Sequence, residues 1–391
     1  MTIVSPVARI TLSGMIAMAV AMGIGRFAFT PLLPLMLSER LIDIGQGGWL
    51  ASANFLGYLM GAVSATWLRP PPRAALRAAL IAIGIATLGA GLTHSYQLWL
   101  AMRWLCGLSS AWVLVAVSNH TMRALAQHGR SEMQGWVFSG IGSGIMAAGL
   151  ACLVFMVYGI DSLAAWRLIG VVTLAVALAL SLLMGPEFPL QAARSAGHSS
   201  GRSPISWRVV IAYGAAGVGY IIPATYLPVM AREIVASPLV FGWSWPMFGG
   251  AAFVSTLLVA RLQDSASNRT IWAISQSVMA IGLLLAAIAP DIVTIIIAGL
   301  CVGGTLTIIT LIGMKEVHRT VPADDAMRHI AVMTIAFASG QMVGPVFASS
   351  LHQATGSFTA PLLAASAVLL LTAGLLTSKT PGQADGNSPR S

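Results

Sequence analysis

Charge is scarce in this chain. Only 8% of its 391 residues are Asp, Glu, Lys or Arg, against about a quarter in an ordinary soluble domain. Acids are the rarer sign, 12 against 21 Lys and Arg. There are three cysteines, Cys106, Cys152 and Cys301; all sit in apolar runs and none forms a C-x-x-C pair. That excludes a disulfide framework and a thiolate zinc site. No H-E-x-x-H, paired carboxylates or Walker loop occurs, and the GIGSG at 140–144 has neither a preceding strand nor a following acid to make a dinucleotide loop. No enzyme activity, cofactor or metal ion is therefore expected.

What is abundant is apolar sequence: 57% hydrophobic residues, with a mean hydropathy of +0.83. Runs of about 20 apolar residues suit helices crossing a hydrocarbon core of roughly 30 Å. Open sheets would leave edge amides unsatisfied in lipid, and barrel strands would alternate, which these runs do not. The expected fold is an all-α membrane protein, embedded in a lipid bilayer. Its spans fall near 8–37, 46–68, 74–93, 96–123, 132–158, 163–184, 207–230, 240–262, 270–289, 291–314, 327–351 and 357–378. One long polar interruption, 185–206, is rich in Gly, Pro, Ser and Arg and reads as a linker. It divides an N-terminal six-helix bundle, 1–184, from a C-terminal one, 207–378, which a polar tail follows at 379–391.

The basic residues fix an orientation. With the N-terminus inside, cytoplasmic segments hold sixteen Lys and Arg and the opposite segments only Arg40, Arg167 and Arg232. Positive residues concentrate on the cytoplasmic side, so both termini and the linker are expected there. A pI near 10.2 and net charge of +9 follow from this asymmetry and imply no nucleic-acid partner. The membrane expected is a cytoplasmic membrane, with the chain a monomer.

The halves repeat each other. A shift of 194 residues lays GIGRFAFTPLLPLM, 23–36, on GVGYIIPATYLPVM, 217–230, matching Gly23, Gly25, Leu33, Pro34 and Met36. The same shift lays Gly48-Trp49 on Gly242-Trp243, and a shift of 195 lays Leu105-Cys106 on Leu300-Cys301 and Gly149 on Gly344. Two parallel six-helix repeats are an architecture of transporters that bind substrate near the midplane, between halves that rock around it. The chain resembles the major facilitator superfamily over nearly its whole length. GIGRFAFTPLLPLM, with MTIAFASGQMVGPVFASSLHQATGSF in the eleventh span, is similar to the YbfB/YjiJ-type bacterial branch. The resemblance implies twelve transmembrane helices around a central cavity. Where the superfamily carries an acid in the loop after span 2, AVSATWLRPPPRAALR has none, so the acid-based latch of that loop is not expected.

Two full charges lie well inside the spans, Arg26 and Arg103. Each costs about 2.5–3.5 kcal/mol at a helix centre, and no acid lies at their depth. One reading makes them anchors for a substrate carboxylate or phosphate, which guanidinium binds through paired hydrogen bonds. The other has them bonding carbonyls freed by Pro31 and Pro34, or clamping helix ends. Tyr220 stands at the repeat position of Arg26. Asn54 and Tyr58 share a helical face, four residues apart, and Gln341 sits beside Gly340. All four are candidates for touching substrate; for Asn54, Tyr58 and Gln341 the favoured reading is a hydrogen bond joining helices. Gly23, Gly25, Pro31 and Pro34, with Pro228, Gly344 and Pro345, are candidate hinges.

The expected function is secondary active transport of a small, anionic organic solute, with or without protons. The alternative is proton-coupled efflux of drug-like or other hydrophobic compounds, which embedded aromatics such as Trp243 and Trp245 would serve.

Overall fold

The computed structural model describes residues 5–68, 72–183, 203–259 and 267–378. The expected linker, 185–206, falls outside these up to residue 202, and the expected tail, 379–391, falls outside altogether. No strand occurs among the described residues.

The first span differs from the continuous helix expected over 8–37. Helix α1, Pro6–Met18, is capped by the Ser5 side chain, which accepts from the Ala8 amide at 3.2 Å. It passes into a π-helix at Ala19–Ile24, an open turn at 25–28, and then α2, Phe29–Ser38. Pro31 has no amide to return to the Phe27 carbonyl, and the Thr30 amide turns back to that oxygen at 3.2 Å. The Arg26 carbonyl, which a regular helix would pair with Thr30, is released. Arg26 thus stands at a break in the backbone.

The other helices are α3 (Ile44–Leu68), α4 (Pro72–Ala90), α5 (Tyr96–Gln127), α6 (Gln134–Val157) and α7 (Ser162–Leu183) in the first half. The second half has α8 (Trp207–Ile234), the short α9 (Pro238–Phe241), α10 (Ser244–Leu258), α11 (Asn268–Ile288), α12 (Ile292–Thr320), α13 (Ala323–Thr355) and α14 (Thr359–Thr377). Ten of the described segments are long and apolar enough to cross a membrane. The 25-residue α3, diluted by Gln46, Ser52 and Asn54, and the 15-residue α10 complete a bundle of twelve crossings. Several helices outrun their apolar runs: α12 continues six residues past the expected end at 314, to Thr320. Hydropathy marks the lipid-immersed part of a helix and misses its charged extension.

Packing obeys the repeat. In the first half α1 and the π segment lie on α6, where Gly23 meets the Gly144 backbone; in the second, Gly217 of α8 meets the Phe337 carbonyl of α13. The halves join along α3 on α13 and α6 on α10. Ser52 Oγ donates to the Met342 carbonyl at 2.7 Å, and at the equivalent contact a Cβ on Gly149 would stand 2.8 Å from the Pro246 ring. Ser52 and Pro246 differ by 194, and Gly149 and Gly344 by 195. Thr30 Oγ1 donates to the Ala224 carbonyl at 2.7 Å, a separation of 194 in sequence, so this bond lies at the axis relating the repeats. Ala224 is also the carbonyl that Pro228 leaves without a helical amide.

Candidate functional site

Arg26 is 4% exposed, and its guanidinium sits among rings. Its Cζ lies 4.0 Å from the Tyr58 ring centre, 5.0 Å from Phe55 and 5.3 Å from Phe27. Rings over a desolvated cation are worth about 2 kcal/mol or more, so this box offsets part of the cost of burying the charge. Nη2 donates to Gln341 Oε1 at 3.3 Å, across the boundary between the halves, and Nε has no hydrogen-bond partner. Among the described residues no carboxylate pairs with it. Gln341 Nε2 donates in turn to the Tyr220 hydroxyl, and the Tyr220 ring stacks on Phe337 at 5.5 Å. One glutamine therefore links the two repeat-equivalent positions, 26 and 220.

Arg103 and Asn54 do other work. Arg103 donates to three carbonyls: Arg26 at 3.0 Å, Gly25 at 3.4 Å and Leu50 at 3.4 Å. Asn54 Nδ2 donates to Gly25 at 3.1 Å and to the Arg103 carbonyl at 2.8 Å. The carbonyls released by the break in the first span are thus taken up from behind. Gly57 and Gly107 let this layer form: Gly107 lies against the Asn54 carbonyl and Gly57 against that of Trp104, so a Cβ at either would strike backbone. Of the six sequence candidates, Arg26, Tyr58, Tyr220 and Gln341 come together in one cluster. Arg103 and Asn54 hold the backbone that carries Arg26.

The candidate hinges fall into two groups. Gly23, Gly25, Pro31 and Pro34 flank the break in the first span, Gly25 being pressed against Ser110 Oγ and the Ala21 carbonyl. Pro228 and Pro345 lie inside continuous helices, and Gly344 packs on Ile221. The Pro345 carbonyl accepts from the Tyr226 hydroxyl at 2.9 Å. Hydrogen bonds that join the halves include Arg26–Gln341, Thr30–Ala224, Ser52–Met342 and Arg232 to the Pro34 carbonyl. These four lie at the level of Arg26 or toward the end that carries loop 39–43. The halves are hydrogen-bonded together at that end.

Phe27 and Phe55, beside Arg26, were not singled out in the sequence. Their i+1 relation to Arg26 and i−3 relation to Tyr58 was the available signal. Of the two tryptophans noted, Trp243 is exposed on the bundle surface, whereas Trp245 is buried 6.1 Å from Phe27, with its indole N–H unpartnered. A buried acid also went unseen, because α12 outruns its apolar stretch. Glu316 pairs with Arg269 at 2.7 Å and Arg319 at 2.9 Å, tying α12 to the start of α11. An acid–arginine latch thus exists in the second half. Nearby, the Ser203 amide donates to Asp325 at 2.6 Å, which holds that carboxyl below the usual aspartate range.

Twelve crossings in two packed repeats, with a charged residue buried between them, are the architecture of a membrane transporter. The family model described as "Uncharacterised MFS-type transporter YbfB" matches residues 18–377, and the chain belongs to that branch of the major facilitator superfamily. Its backbone is similar to that of a D-xylose-proton symporter, with a TM-score of 0.77 at 12% identity, covering 96% of this chain and 98% of the symporter. It is also similar to the nucleoside transporter NupG, with a TM-score of 0.72 at 11% identity, covering 94% and 98%. No curated protein sequence matches significantly.

Proposed function

We propose that this transporter moves a small organic anion across the bacterial inner membrane and that Arg26 holds the anionic group. One observation carries the reading: a guanidinium buried at the junction of the halves, with Nε unpartnered and no carboxylate described beside it. A bound carboxylate or phosphate would supply the missing acceptor and the missing charge. Tyr58, Tyr220 and Gln341 complete the contact surface, while Arg103 and Asn54 hold its backbone from behind. The hinges are Gly23, Gly25, Pro31 and Pro34 in one half and Pro228, Gly344 and Pro345 in the other. The halves, 1–184 and 207–378, would rock around this site on a cytoplasmic linker, 185–206, with both termini in the cytoplasm and the tail 379–391 beside them. The chain would act as a monomer.

Energetics favour export. Moving one negative charge inward against the membrane potential costs about 2.3 kcal/mol per 100 mV, and among the described residues no embedded carboxylate pairs with Arg26 to carry a compensating proton. Glu316 is held by two arginines at the end of the bundle. Export lets the potential supply the drive. Import would require the substrate's own carboxylate to bring the proton. The second reading, efflux of hydrophobic compounds, draws on the rings around Arg26, but that charge would repel a cationic drug.

The test is thermal stabilisation of the purified protein by panels of small organic anions and cations. Anions should raise the unfolding midpoint of the wild type and leave that of Arg26→Ala unmoved. Stabilisation by cations alone, or equal stabilisation of folded Arg26→Ala by anions, would overturn the reading.

A further inference from the structure

The rings around Arg26 are not evenly shared between the halves. Phe55 and Tyr58, from α3, stay on the guanidinium's own side of the boundary. Phe27 faces across it, toward Trp245 of α10, with ring centres 6.1 Å apart at 53°. On its far side Trp245 is stacked on Phe248 at 4.7 Å and 14°. Parting the halves would leave the Phe248–Trp245 stack intact and separate Phe27 from Trp245, baring two ring faces beside the charge. Trp245 is 1% exposed and its Nε1 has no partner. Two buried, unanswered donors, Arg26 Nε and Trp245 Nε1, thus flank one phenylalanine.

From this arrangement we propose that the substrate is an aryl carboxylate bearing a hydrogen-bond acceptor on its ring, such as a hydroxybenzoate. The inference rests on the reading of Arg26 as the anion's anchor. The carboxylate meets Arg26 and answers Nε. The flat ring takes the place between Phe27 and Trp245 that each occupies for the other in the closed state. Aromatic rings prefer the offset and tilted arrangements already present there. The ring substituent accepts from Trp245 Nε1, a group whose only hydrogen-bonding capacity is to donate. A saturated ring of similar size would fill the volume without the stacking, and an unsubstituted aryl ring would leave the indole N–H unanswered.

The experiment is titration calorimetry on the purified full-length protein with four probes: 4-hydroxybenzoate, benzoate, cyclohexanecarboxylate and neutral benzamide. For the wild type, benzoate should bind roughly threefold to tenfold more tightly than cyclohexanecarboxylate, the range that stacking supplies. 4-Hydroxybenzoate should bind more tightly again. In Trp245→Phe, which keeps a ring face but no donor, the preference for 4-hydroxybenzoate over benzoate should collapse. Cyclohexanecarboxylate binding as tightly as benzoate would overturn the aryl inference and leave the anion reading standing. Benzamide binding as tightly as benzoate would overturn the anion reading itself. Failure of all four to bind folded wild type at millimolar concentration would overturn the aryl inference. The wild-type ranking needs no variant, so a Trp245→Phe protein that fails to fold still leaves the proposal decided.

Discussion

Two arginines of the same type, at the same depth, are used in opposite ways. Arg103 has its donors turned onto backbone oxygens, three of them within 3.4 Å, while Arg26 keeps Nε unpartnered and its face covered by rings. Burial does not distinguish them, since both are nearly inaccessible; their partners do. Arg103→Ala leaves the Arg26 carbonyl without its donor, and an unsatisfied buried polar group costs about 1–3 kcal/mol. The expected outcome is a clearly lower unfolding midpoint, with anion affinity in the surviving folded protein reduced less than in Arg26→Ala. A variant as stable as wild type but devoid of binding would place Arg103 in contact with substrate. The presence of two embedded cations was legible in the sequence, but which would be neutralised by backbone was not. That depends on where the chain breaks, and the π segment at Ala19–Ile24 leaves no signature in a hydropathy count.

At the scale of the element, prolines and their freed carbonyls organise the contacts between helices. Pro228 cannot return an amide to Ala224, and Thr30 of the other half supplies the hydrogen bond at 2.7 Å. Thr30→Val keeps the shape and removes the donor, so the unfolding midpoint should fall by the equivalent of about 1–3 kcal/mol. Pro228→Ala restores a helical amide to Ala224. In that background Thr30→Val should cost only a few tenths of a kcal/mol, the non-additivity expected of coupled neighbours. Additive losses in the double variant would show that the two residues do not share one oxygen. The sequence marked these prolines as weak points through their lost donors. It could not show that one half repairs the other, because the partner lies 194 residues away. Helix ends were legible only as far as apolarity ran, which is why Glu316 was missed and why the latch expected to be absent after span 2 has a counterpart between α11 and α12.

At the scale of the whole molecule, the repeat was the most legible feature, since offsets of 194 and 195 residues recur in both sequence and packing. Gly48 and Gly242, matched in sequence, both face the opposite half, the one against Ser349 and the other against Leu153. The joining of the halves at one end was not legible, because a sequence does not single out one conformation of the chain. The hydrogen bonds at and beyond Arg26 join the halves at the end expected to lie outside. Under the proposed export, a substrate would bind at Arg26 from the cytoplasm and leave on the opposite side.

That sequence of binding and release is tested most directly in vesicles reconstituted with the purified protein, under an imposed potassium-diffusion potential and no pH gradient. Flux of a labelled organic anion identified by thermal stabilisation should run toward the positive side and rise with the potential. It should fall in Arg26→Lys, which keeps the charge and loses the planar fork, and vanish in Arg26→Ala. Flux that ignores the potential and follows an imposed pH gradient would contradict export and put the proton on the substrate. Undiminished flux through a well-folded Arg26→Ala protein would contradict the account at its centre.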